Sequence, residues 1–176
     1  MIDFMVIGLP RSGTAWAANW LTTDFSFCIH DPLNRIHYSE WDIDNGYFPK
    51  GSIKGVSCTG IWRWPEFVNS HPAKKLILRR EFGNVQDSLW SNKLEEIEPD
   101  ANVQLSRIEG LHIPYEHLFD PTVASTLWTH LLGTAPHNLS RHANLRGFNV
   151  QQQPESVRVD RGLQTRLHNE LLLKTI

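Results

Sequence analysis

The residues best suited to chemistry come early. GLPRSGTAW, Gly8 to Trp16, carries the spacing G-x-x-x-x-G between an apolar stretch and a helix-forming one. That arrangement lets consecutive backbone N–H groups wrap an anionic oxygen cluster. Arg11 adds a permanent, planar positive fork inside the loop. A kinase or NTPase would place Lys and then Ser or Thr after the second glycine, to reach the β and γ phosphates and to hold Mg²⁺. Here those positions are Thr14 and Ala15. The missing amine and metal-binding hydroxyl count against ATP hydrolysis and predict a phosphate site that works without Mg²⁺. The competing reading is a Gly/Pro turn that merely joins a strand to a helix.

Elements of a layered fold must position that loop. FMVIG, Phe4 to Gly8, is a continuous apolar run rather than an alternating one, as in a strand covered on both faces of a parallel sheet. AWAANWL then reads as a helix, Phe25 to Ile29 as a second strand closed by Asp31-Pro32, and Ile53 to Cys58 as a third. Pro65 opens a short helix, PEFVNS, and Lys75 to Arg80 reads as a fourth strand. Asn84 to Ile97 carries Val85, Leu89, Leu94 and Ile97 at near-helical spacing, and Leu111 to Ile113 is a fifth candidate strand. DPTVASTLWTHLLG predicts a helix with Asp120 as N-cap, Pro121 in the first turn and Gly133 as C-cap. Asn34 to Lys50 reads as loop. Thr134 to Val159 reads as a polar connection before a last helix, where Leu163, Leu167 and Leu171 recur every fourth residue. Strands alternating with helices predict an α/β fold, a P-loop-type three-layer sandwich with a central parallel sheet of about four to five strands flanked by helices. One domain spanning residues 1–176 is expected.

Composition narrows the function classes. With 17 Lys plus Arg against 19 Asp plus Glu, the net charge of −2 excludes a strongly basic nucleic-acid platform. Hydrophobic residues at 40% and charged residues at 20% exclude a disordered chain. Cys28 and Cys58 make neither a disulfide framework nor a zinc pattern. His112 and His117, like His137 and His142, are spaced so that they do not share a helical face, so no metal is expected. The N-terminus has no basic leader, and the apolar run from Phe4 to Ile7 is too short to span a bilayer, which predicts a soluble, cytoplasmic protein without a membrane partner. Seven tryptophans supply large flat surfaces, for the core or for stacking on a ring.

PRSGTAW resembles the phosphosulfate loop of the sulfotransferase family, P-[KR]-S-G-T-T-W, and departs from it at Ala15. Members use 3′-phosphoadenosine 5′-phosphosulfate (PAPS) as sulfuryl donor and release PAP. The resemblance implies that Pro10, Arg11, Ser12, Gly13, Thr14 and Ala15 surround the 5′-phosphosulfate and that Trp16 stacks against the adenine. KKLILRREFGNVQDSLW, Lys74 to Trp90, is similar to the family segment in which an Arg ends a strand and a Ser follows eight positions later. Arg80 and Ser88 have that spacing, and the resemblance implies that they bind the 3′-phosphate. Arg79 is the neighbouring competitor. Strand alternation sends it to the opposite face, and the spacing to Ser88 favours Arg80. In the bland reading, Arg80 pairs with Glu81 and Ser88 is solvated. IPYEHLFDPTVASTLWTHLLG, Ile113 to Gly133, is similar to the family's late Y-E-D-L segment and reads as scaffold. The family's C-terminal basic segment has no clear counterpart, with Arg141, Arg146 and Arg161 the candidates.

The resemblance also frames the catalytic expectations. Arg11 and the loop amides would stabilise charge on the departing bisphosphate. Cytosolic members carry a histidine after the third strand, where this chain has Ser57-Cys58-Thr59. Carbohydrate-directed and many bacterial members place a glutamate after the second strand, a region held here by His30-Asp31-Pro32. Asp31 is the first candidate base and His30 the second, while Asp31 equally suits an Asx-type turn before Pro32. Asn34 to Lys50 and the IWRW segment, Ile61 to Trp64, could wall the pocket of a small-molecule or carbohydrate acceptor. The expected function is sulfuryl transfer from PAPS to a hydroxyl or amine, without metal. A PAP-binding regulatory protein lacking turnover is the alternative.

Overall fold

A computed structural model describes residues 1–32, 48–135, 137 and 139–146. The expected last helix around Leu163, Leu167 and Leu171 lies outside these residues, as does most of the expected loop from Asn34 to Lys50. Five strands form one sheet: β1 (Phe4–Gly8), β2 (Ser26–His30), β3 (Ile53–Cys58), β4 (Lys74–Arg79) and β5 (Leu111–Pro114). Every pairing is parallel, and the order is β2-β3-β1-β4-β5. The protein is an α/β three-layer sandwich. β1 lies centrally, and the chain fills one side of it before β4 and β5 fill the other. In open sheets of this kind, ligands bind outside the carboxyl ends of the strands, where the order reverses.

The continuous apolar run of β1 follows from burial on both faces. Met5 and Ile7 join Val56, Ile77, Val85, Leu89 and Leu105 on one side. Phe4 and Val6 join Leu76, Leu78, Trp20, Leu127 and Trp128 on the other. The first face is covered by α2 (Pro65–Ser70), α3 (Phe82–Ser91) and α4 (Ala101–Ser106), the second by α1 (Thr14–Trp20), α5 (Pro121–Leu132) and α6 (Leu139–Arg146). Gly55 is required by packing. A Cβ there would sit 2.0 Å from the buried Phe4 ring.

α3 and α6 differ from the sequence expectation. α3 stops at Ser91 rather than Ile97, because Lys93 adopts φ 55° and Leu94 N–H bonds back to Leu89 O at 3.0 Å. This left-handed cap ends the helix although apolar residues continue, and Ile97 still reaches the core. α6 lies within the span read as a polar connection. Only His142 and Leu145 of that helix are buried, too sparse a stripe for periodicity to reveal. Among the described residues, no helix is long and apolar enough to cross a membrane.

Candidate functional site

The loop joining β1 to α1 turns on two left-handed residues, Arg11 at φ 67° and Gly13 at φ 80°. Glycine adopts that conformation freely, whereas arginine needs surrounding contacts to hold it there. Those contacts come from β4 and α3. Arg80, just past the end of β4, donates through Nη1 to the Arg11 carbonyl, and Arg11 Nε donates to Ser88 Oγ on α3 at 3.0 Å. The Arg80 guanidinium also lies over the Tyr115 ring, 4.7 Å from its centroid, which fixes its plane. Among the described residues Arg80 makes no ion pair with a carboxylate, so pairing with Glu81 is not what holds it. Arg79 falls on the opposite face of β4, the face of Ile77.

Arg11, Arg80 and Ser88 are therefore brought together, but with Ser88 bound to Arg11 rather than to Arg80. Burial, and after it repulsion from Arg80, lowers the Arg11 guanidinium pKa. Ser12 is fully buried, and its Oγ has no hydrogen-bond partner among the described residues. Such a hydroxyl costs about 1–3 kcal/mol when nothing satisfies it.

The ends of β2 and β3 build the facing wall. Asp31 adopts φ 45°, and its N–H bonds Ser57 O at 2.8 Å. Its Oδ1 accepts from Thr59 N–H at 2.5 Å, and both carboxylate oxygens lie 2.9 Å from Thr59 Oγ1. The carboxylate thus clamps the end of β2 to the residue that follows β3. His30 Nε2 lies 3.4 Å from Asp31 Oδ2 and 3.5 Å from Thr14 Oγ1, which links the two candidate bases to the loop. Burial lowers the His30 pKa below its ordinary 6.5, with Asp31 opposing that shift, so the imidazole is neutral at pH 7. A cleft of about 500 Å³ opens between this wall and the end of α3, lined by Pro10, Arg11, Asp31, Thr59, Asn92 and Glu95 among others.

No family model, curated protein or solved structure matches the chain. The reading of the site therefore stands on its geometry.

Trp16, expected over an adenine, is a core residue instead. It is 4% exposed, packs against Trp20, Phe119 and His142, and donates its indole N–H to Leu145 O at 3.0 Å. Ala15 is buried on α1 and offers the site no side-chain polar group. Arg141 donates to Asn19 O at 2.7 Å, a tie between α6 and α1. In the IWRW segment, Trp62 is buried and its indole N–H donates to Thr59 O at 2.7 Å, so that ring supports the wall from behind. Asn92, Leu94 and Glu95 line the cleft, and sequence reasoning did not single them out for it. Their signal was present only in the early stop of α3, which turns them towards the loop.

Proposed function

We propose that the protein transfers a sulfuryl group from PAPS to a hydroxyl or amine acceptor. The observation that carries this reading is Arg80, a guanidinium drawn onto the Arg11 carbonyl and laid on Tyr115 without a carboxylate partner among the described residues. A fixed cation of this kind, beside Arg11 and Ser88, suits a second anionic group on a molecule whose first is held by the loop. The side chains near both charged ends of the donor would suit it. Ser12 Oγ is an orphaned buried hydroxyl within the loop, which an anionic oxygen would satisfy, and Arg80 with Ser88 would take the 3′-phosphate. The buried Trp16 does not serve the adenine.

The donor would supply an activated sulfuryl group: an O–S or N–S bond to the acceptor forms as the bond from sulfur to the bridging phosphate oxygen breaks, releasing PAP. The chain's own residues do the rest. Neutral His30, its Nε2 3.4 Å from Asp31 Oδ2 and 3.5 Å from Thr14 Oγ1, would take the acceptor proton on a ring nitrogen. Asp31, anchored by Thr59, would balance the charge of that ring once protonated. Arg11 and the loop amides would stabilise the negative charge that builds on the leaving phosphate.

Transfer of radiolabelled sulfate from PAPS to a panel of sugars, amines and phenols tests the proposal. Label transfer without Mg²⁺, abolished by Arg11→Ala, is expected. A second reading, a PAP-binding protein without turnover, draws on the engagement of the Asp31 carboxylate by Thr59. It would be chosen by tight PAP binding with no transfer to any member of the panel.

A further inference from the structure

We propose that the cleft beside the loop admits uncharged or cationic polyhydroxyl acceptors, sugars or amino sugars, and turns anionic ones away. The inference rests on the sulfuryl-transfer reading and names the acceptor class of that same site. At about 500 Å³ the cleft is within the usual range for a small-molecule site. Among the described residues its polar inventory is lopsided. Asn92 commits its Nδ2 to Ser88 O at 2.7 Å, which leaves the amide oxygen as its remaining strong acceptor. Thr59 directs its hydroxyl and its N–H to Asp31. Asp31 and Glu95 are carboxylates, which accept and do not donate.

Glu95 is distinct from its neighbours. Glu96 accepts from Trp90 Nε1 at 3.0 Å and Glu98 pairs with Arg63 at 2.9 Å, whereas Glu95 has no partner among the described residues and borders the cleft. The cation of the lining, Arg11, directs Nε to Ser88 at the loop end. The two sides of the cleft, Asp31 with Thr59 on one and Asn92 with Glu95 on the other, thus offer acceptors to a ligand rich in O–H or N–H donors, and two negative charges to repel a carboxylate or sulfate.

Saturation-transfer NMR titrations with glucosamine, glucose and glucuronate vary charge on one ring, and a parallel calorimetric titration with PAP checks the donor site on the same samples. Glucosamine and glucose are expected to bind more tightly than glucuronate. Glu95→Lys, an exposed substitution, is expected to strengthen glucuronate and weaken glucosamine by about two- to fivefold each, the scale of a partly solvated charge pair. Glucuronate binding as tightly as glucose, or a Glu95→Lys ranking identical to the parent, overturns the acceptor class while intact PAP binding leaves the donor reading standing. Charge-ordered sugar binding without PAP affinity overturns the donor reading, and with it the role of the sugar as acceptor.

Discussion

Arg11 on the β1–α1 loop and Ser88 on α3, far apart in the chain, are joined by a 3.0 Å hydrogen bond, and Arg80 holds the carbonyl of the same Arg11. The loop, the end of β4 and α3 are therefore one mechanical unit. A change at any of the three is expected to reach the others.

Ser88→Ala removes the acceptor that positions Arg11. PAP affinity is expected to fall about tenfold, the scale of one hydrogen bond to a charged group, with little change in melting temperature. Arg80→Lys is expected to cost at least as much despite keeping the charge, since an ammonium cannot both stack flat on Tyr115 and present a planar fork. Isothermal calorimetry reads both.

Trp16→Phe separates a core role from a stacking one. The ring is packed against Trp20, Phe119 and His142, so the substitution is expected to destabilise the fold by about 1–3 kcal/mol while PAP affinity stays within about twofold. Chemical denaturation and calorimetry on one preparation give the two numbers. A large loss of affinity at unchanged stability would restore the stacking role.

Much of this fold was legible in the residues. The run Phe4 to Gly8 announced a strand covered on both faces, and Pro65, Asp120, Pro121 and Gly133 bounded two helices correctly because their backbone preferences are local. Asp120 caps α5 as expected, accepting from Thr122 and Val123 N–H. What escaped was tertiary in origin. The apolar spacing of Leu94 and Ile97 continued past a helix that Lys93 had already ended, and α6 buries only two side chains. At the site, the spacing of Arg80 and Ser88 suggested that they act on one group, and the structure does bring them to one loop. It could not show that Arg11 would stand between them, nor that Asp31 would be clamped by Thr59 with His30 beside it.

The His30–Asp31 arrangement fixes the sign of a pH effect. Burial lowers the His30 pKa, so the neutral base persists below the ordinary 6.5, and kcat/KM is expected to fall only as pH drops through that lowered value. Asp31 opposes the shift, so Asp31→Asn is expected to move the acid limb to still lower pH, and His30→Asn to cut the rate about 10²–10⁴-fold and remove that limb. Stability follows the same direction. An imidazole with a lower pKa folded than unfolded takes its proton preferentially in the unfolded state, so stability declines as pH falls below about 6.5. pH–rate profiles and pH-dependent melts check the two halves separately.

Gly55→Ala tests the close approach of β3 to β1. The added methyl would lie 2.0 Å from the Phe4 ring, which is wholly buried and cannot swing out to solvent. A loss of about 3 kcal/mol or more is expected, at the upper end of overpacking costs, seen as a lower urea midpoint at an unchanged slope.

One molecule gripped at two anionic ends is the core of the proposed function, and calorimetric titration of PAP against adenosine 5′-phosphate without Mg²⁺ puts it to the test. PAP is expected to bind at least about tenfold more tightly, the difference one charge-assisted contact supplies, and Arg80→Ala is expected to erase that preference. Equal affinities for the two nucleotides in the parent protein, or a preference that survives Arg80→Ala, would undo it.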